Sequence, residues 1–172
     1  MAFASSGVDG GGDVGPMSRR LCLFGGGEHA RVVAEAATLG GWDVVGAWSP
    51  EPASGIPWLG DDAAFALERE RWQDALFHIG FVGHHGARTR RQVLGRWDGL
   101  AWASVVHPTA FVAPSARLGA GVFVGPRAVV HTGATIGDHA IINSGVIVEH
   151  DAVVGTGTHL APATAIGGGA RL

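Results

Sequence analysis

The sequence predicts a small parallel α/β unit followed by a three-sided parallel β-solenoid. Three observations carry this: aliphatic residues recur at every sixth position from Val106 to Leu172, apolar runs alternate with helical patterns before residue 103, and the composition changes sharply between the two. Every tryptophan lies at or before Trp102, and beyond residue 103 the charged residues are Arg117, Arg127, Asp138, Glu149, Asp151 and Arg171 alone. The expected division is a disordered leader over 1–17, rich in Gly, Ser and Asp, an α/β domain over 18–103, and a solenoid over 104–172.

In the first domain, residues 21–24 form a short apolar run that ends in Gly25-Gly26-Gly27. Residues 30–39 are Ala-rich and stop at Gly40, as a helix would. Residues 43–48 read as a second strand, and Asp61 or Asp62 is placed to cap a helix running to about residue 71. A strand over 75–82, a basic helix over 87–96 and a last strand over 100–106 complete the alternation. Strand alternating with helix implies a parallel sheet.

The repeat is the stronger signal. Val106, Val112, Leu118, Val124, Val130, Ile136, Ile142, Val148, Val154, Leu160, Ile166 and Leu172 keep one phase. A period of six matches neither a helix face nor a half-exposed strand. It fits a solenoid whose six-residue unit makes one flat side and one corner. Three sides give about eighteen residues per coil, so 106–172 holds somewhat under four coils. The aliphatic points inward. The residue two positions earlier, mostly small (Ala128, Ala134, Ala140), fits a crowded inner edge, and Gly or Asn suits the turns. Gly often follows the aliphatic directly, as at Gly119, Gly125 and Gly137.

Composition excludes several classes. The formal charge is −3, so no electrostatic grip on nucleic acid is expected. All twelve basic residues are Arg, which rules out a lysine Schiff base. The single Cys22 sits in an apolar run and reads as a buried strand residue in a reducing compartment. No stretch approaches the ~18 apolar residues of a membrane span, and no secretory signal opens the chain. The expected location is the cytoplasm.

Two motifs carry chemistry. Gly25-Gly26-Gly27 follows a strand and opens a helix, where backbone N–H groups and the helix dipole suit a diphosphate. A nicotinamide site would want an acidic residue at the second strand's end within a longer α/β unit, and here that stretch reads Trp48-Ser49-Pro50-Glu51. His150 stands at a corner two residues after core Val148, so it projects outward. An imidazole, with a reference pKa near ~6.5, accepts a proton at neutral pH. His131 and His139 read as surface or interface residues, His84-His85 as a solvated turn, and His107-Pro108 as the entry to the first coil.

Units such as Thr135-Ile136-Gly137-Asp138 resemble the hexapeptide-repeat acyltransferases, and the resemblance implies a left-handed parallel β-helix. Phe24-Gly25-Gly26-Gly27-Glu28-His29, Gly55-Ile56-Pro57-Trp58-Leu59-Gly60-Asp61-Asp62, Val106-His107-Pro108-Thr109-Ala110 and the run from Ile141 through Asn143-Ser144-Gly145 to Val148-Glu149-His150-Asp151 are similar to the sialic-acid and bacillosamine sugar O/N-acetyltransferase group. That group joins a Rossmann-like domain to the β-helix. The resemblance implies transfer of acetyl from acetyl-CoA to an amino or hydroxyl group of a nucleotide-activated sugar, a UDP-amino sugar being expected, in a homotrimer. It makes His150 the general base, with Asp151 orienting it and Asn143 arranging the site. It sets His159 and Gly168 against acetyl-CoA, and Gly25, Gly26, Gly27 and His29 against the sugar nucleotide.

No metal is expected. The γ-class carbonic anhydrases, also β-helical, use zinc histidines of which two are five residues apart, a spacing absent from the solenoid here. The chain stops in mid-repeat at Leu172, which leaves an alternative: a catalytically impaired sugar-nucleotide-binding or trimer-assembly module with an incomplete CoA groove.

Overall fold

The computed structural model describes the backbone of residues 19–82 and 87–172. The leader over 1–17 and the His84-His85 turn lie outside the described residues. The N-terminal part comprises β1 (Arg19–Phe24), α1 (Glu28–Leu39), β2 (Trp42–Trp48), β3 (Trp58–Gly60), α2 (Asp62–Glu68), β4 (Leu76–Ile79) and α3 (Ala87–Arg96). Its four strands are parallel, in the order β3-β2-β1-β4.

Alternation along β1 builds two cores. Leu21 and Leu23 face one side, with Ala30, Val33, Ala36 and Ala37 of α1. Cys22 and Phe24 face the other, with Trp48, Phe65, Phe77 and Trp97. There the Phe24 ring meets Phe65 edge-on at 5.0 Å and stacks on Trp97 at 5.8 Å. Burial pushes the Cys22 thiol up to about 12, so it is an inert filler at neutral pH.

Several expected elements differ. The Asp61 side chain caps α2 as expected, accepting from the Ala64 N–H at 2.8 Å. The helix then tightens into a 3-10 turn over Arg69–Trp72. The strand expected over 75–82 is confined to Leu76–Ile79. The segment 100–106 is not one strand. Trp102 makes an isolated bridge to Phe77, while Val105–Val106, as β5, is the first rung of the solenoid. Trp58–Gly60 adds a strand that short length and Gly60 hid from periodicity.

The solenoid is built from two-residue strands: β5 and then β6 (Phe111–Val112), β7 (Arg117–Leu118), β8 (Phe123–Val124), β9 (Val129–Val130), β10 (Thr135–Ile136), β11 (Ile141–Ile142), β12 (Ile147–Val148), β13 (Val153–Val154), β14 (His159–Leu160) and β15 (Ala165–Ile166). They stack as three parallel sheets, β13-β10-β7, β14-β11-β8-β5 and β15-β12-β9-β6. The sixfold aliphatics from Val106 to Ile166 form its core with the small residues Ala128, Ala134, Ala140 and Ala152.

The corners correct one expectation. The glycines directly after the aliphatic are not there for a left-handed turn. At Gly137 a Cβ would meet the Thr156 backbone nitrogen at 2.5 Å, so glycine is needed for close approach of the next coil. The left-handed position comes two residues later: Gly121, Arg127, Gly133, His139, Gly145, Asp151, Gly157, Ala163 and Gly169 all have positive φ.

Candidate active site

The site grows from the sheet β14-β11-β8-β5. Its outward residues form a ladder, Val105, Phe123, Ile141 and His159, in parallel register. The first three rungs are buried together with residues of α1 and β1, which docks the N-terminal domain on this side of the solenoid. His159 is the next rung and is exposed.

At this seam the structure gathers groups that the sequence scattered. His29, in the first turn of α1, sets its ring edge-on to Phe123 at 5.3 Å. Burial, then the Arg90 and His159 charges, hold its pKa down to about 4. His78 on β4 is buried, its Nδ1 lies 2.9 Å from the Ala103 carbonyl oxygen, and burial lowers it to about 4 as well. Arg90 of α3 is buried and donates through Nη2 to the His139 carbonyl. Its Nε and Nη1 have no partner among the described residues.

His139, expected at the surface or an interface, is instead buried. Its ring meets Trp102 edge-on at 5.1 Å, and burial followed by Arg90 lowers its pKa. The reason is positional: its corner faces the packed N-terminal domain. His131 is exposed, as expected. His107 turns the chain after β5, its Nδ1 accepting from the Thr109 N–H at 3.1 Å.

The residues expected to be catalytic fall at two corners. His150 and Asp151 stand after β12, with His150 Nδ1 3.0 Å from Asp151 Oδ2. One coil further on, Gly168 lies under the ring: a Cβ there would sit 2.5 Å from His150 Nε2. Asn143 stands after β11, and its Nδ2 lies 3.4 Å from His159 Nε2. Thus one chain joins His150 with Asp151 and Gly168, and Asn143 with His159.

The three glycines of the N-terminal loop differ in role. Gly25 has φ 99°, and a Cβ there would strike the Phe81 ring at 2.6 Å. At Gly26 a Cβ would meet Ser49 Oγ and Ala53 Cβ at 2.7 Å. Gly27, the N-cap of α1, has nothing within 4 Å of such an atom. The first two serve the turn and packing, and the third leaves room for a ligand. A cavity of about 360 Å³ opens there, lined by Gly25, Gly26, Gly27, Trp48, Phe81 and Arg96 among others. Arg96 is paired at its rim with Asp62.

Sequence reasoning missed Arg90 and His78. Arg90 is one of several arginines on a basic helix, and His78 lies inside an apolar strand, so no spacing marked either. Among the described residues no helix is long and apolar enough to cross a membrane, and no three His, Cys, Asp or Glu side chains group as a metal site.

A three-sided parallel β-helix bearing a carboxylate-paired imidazole on an outer corner defines the class. The family described as bacterial transferase hexapeptide (six repeats) matches residues 115–150. PerB from Caulobacter crescentus, in complex with CoA and GDP-perosamine, is 34% identical over 87% of this chain and 72% of that one, with a TM-score of 0.76. A histidine-to-alanine mutant of GDP-perosamine N-acetyltransferase from the same organism, also with CoA and GDP-perosamine, gives 32% over 91% and 74%, with a TM-score of 0.79. The acetyltransferase domain of PglB from Neisseria gonorrhoeae, with acetyl coenzyme A, gives 26% over 90% and 82%, with a TM-score of 0.74. No curated protein sequence matches the chain. The chain belongs to the hexapeptide-repeat sugar acetyltransferases of the left-handed β-helix type.

Proposed function

We propose that this protein moves the acetyl group of acetyl-CoA to an amine, or alternatively a hydroxyl, of a nucleotide-activated sugar, with His150 as the general base. The observation that carries this is the His150 Nδ1 to Asp151 Oδ2 contact of 3.0 Å. A carboxylate can only accept, so it holds the proton on Nδ1 and leaves the Nε2 lone pair free. His150 is exposed at its corner, so that lone pair is available to a substrate.

The acceptor nitrogen or oxygen attacks the thioester carbonyl carbon as Nε2 takes its proton. The carbon–sulfur bond then breaks, and the proton passes from the imidazolium to the departing CoA thiolate. The product is the acetylated sugar nucleotide.

The solenoid over 104–172 supplies this chemistry. The domain over 18–103, Rossmann-like in its helix-flanked parallel sheet, binds the sugar nucleotide at Gly25, Gly26, Gly27 and His29. A UDP-amino sugar is the expected substrate, and GDP-amino sugars are the first alternative because structural neighbours were crystallised with GDP-perosamine. The outward face of β15-β12-β9-β6 supports a homotrimer: Phe111 and Ile147 on it are 53% and 40% exposed, an apolar strip that association would bury. CoA then lies between neighbouring subunits.

The test is thiol release from acetyl-CoA against a panel of UDP-, GDP- and CMP-sugars, with His150→Ala alongside. The variant is expected to lose at least ~100-fold in turnover, the usual scale for removing a general base. Unchanged turnover would overturn the role.

A further inference from the structure

The seam between the α/β domain and the solenoid holds a buried cation that no carboxylate answers. Arg90 of α3 is 5% exposed. Its Nη2 donates to the His139 carbonyl, which ties one end of the guanidinium to the solenoid corner. Its Nε and Nη1 are buried and have no acceptor among the described residues. The same is true of Nε2 of His29, which α1 sets against Phe123. Phe123 pairs with Ile141, two residues beyond His139, so both groups belong to one seam.

The acids of this region are engaged elsewhere. From Ala75 to Trp97 the sequence has no Asp or Glu. Glu28 and Asp138, beside His29 and His139, are both exposed. Asp138 Oδ1 accepts from the Ala120 N–H at 2.9 Å. The neighbours of Arg90 are histidines. After burial, its charge is among the causes that hold down the pKa of His29, His78, His139 and His159. A guanidinium stays protonated inside a protein and can only donate. Leaving it unpaired is costly, and buried charges are normally matched by an opposite one. The group that suits a planar fork of donors is an oxyanion.

We propose that Arg90 and His29 form an oxyanion-binding site at the domain seam, taking one phosphate or carboxylate group with Arg90 Nε and Nη1 and His29 Nε2 as donors. A neutral His29 donates from Nε2 in one of its two tautomers, so it serves the anion uncharged. The cavity at Gly27 has a different cation on its wall, Arg96, and that one is already paired with Asp62. The anion is a free ion or an acidic group of the sugar nucleotide, and both present the same oxygens.

Thermal melts with rising inorganic phosphate at constant ionic strength, without acetyl-CoA, test this independently of acetyl transfer. At a hundredfold excess over Kd the wild type is expected to gain about 5 °C. Phosphate also stabilises proteins by exclusion from their surface, so the reading is the excess over Arg90→Met. Without phosphate, Arg90→Met is expected to melt at or above wild type, because an apolar chain replaces an unpaired charge. Arg96→Met should keep the phosphate response. Equal shifts in wild type and Arg90→Met overturn the proposal, as does a response lost in Arg96→Met instead. Should Arg90→Met fail to fold, calorimetric titration of phosphate into wild type and His29→Leu decides: the variant is expected to bind about 10-fold more weakly, the scale of one hydrogen bond to a charged group. No binding to wild type, or equal affinities, overturns the site. Displacement of bound phosphate by UDP- or GDP-sugars assigns the anion to the substrate, and its persistence assigns a free ion.

Discussion

Gly168 supports the imidazole of His150 from one coil beyond it, so closely that a Cβ at 168 would lie 2.5 Å from Nε2, 2.8 Å from Cε1 and 3.0 Å from Cδ2. Both residues are exposed, and the contact involves no core packing.

Gly168→Ala is therefore expected to move the ring and little else. The methyl group pushes Nε2 out of line, and an error of about 1 Å at a reacting atom can cost about 100-fold in rate. Measured together, kcat should fall by up to that factor while the melting temperature stays near wild type. A variant with full kcat would show that the ring has no fixed position to lose.

Asp151 carries two separable constraints, its carboxylate and its backbone. Its φ is 58°, in the left-handed region that Asn and Asp tolerate better than other non-glycine residues. Asp151→Asn should keep stability and lower kcat by about 100-fold, because an amide no longer enforces Nδ1–H on His150. Asp151→Val should add a loss of about 1–2 kcal/mol in unfolding free energy from backbone strain. Chemical denaturation with a parallel rate assay separates the two effects.

The buried histidines make stability fall in acid. His29 has a folded-state pKa of about 4 against an ordinary value of 6.5. Between those values the unfolded chain binds a proton that the folded chain refuses, so stability rises with pH across the window. Its share is complete above pH 6.5 and is lost as pH falls toward 4. Thermal melts of wild type and His29→Gln from pH 7 to 4.5 should converge as the pH drops, since glutamine removes one such proton. Parallel curves would contradict the buried, neutral ring.

Much of the β-helix was legible because its constraint is local and repeated. The sixfold aliphatics and the small residue two places before them each report a single position in a coil, and the coil supplies that position many times. The corners were harder. Glycine after the aliphatic suggests a turn, but Gly119, Gly125 and Gly137 answer to the backbone of the next coil, at Asp138, Ser144 and Thr156. The left-handed positions also admit Arg127, His139 and Asp151, so glycine alone does not mark them.

Sequence by itself determined the solenoid, its inward set from Val106 to Ile166 (Leu172, expected inward, is 54% exposed), the parallel α/β unit and the outward corner of His150, since each follows from spacing along the chain. Only the tertiary structure decided that His139 is buried under Trp102, that Arg90 stands unpaired in its guanidinium Nε and Nη1 among the described residues, and that Asn143 Nδ2 lies beside His159 Nε2. Those outcomes depend on which solenoid side α1 covers and on which corners stack in adjacent coils. Docking of one domain on another removes water from chosen groups, and no periodicity in either domain encodes which groups those will be.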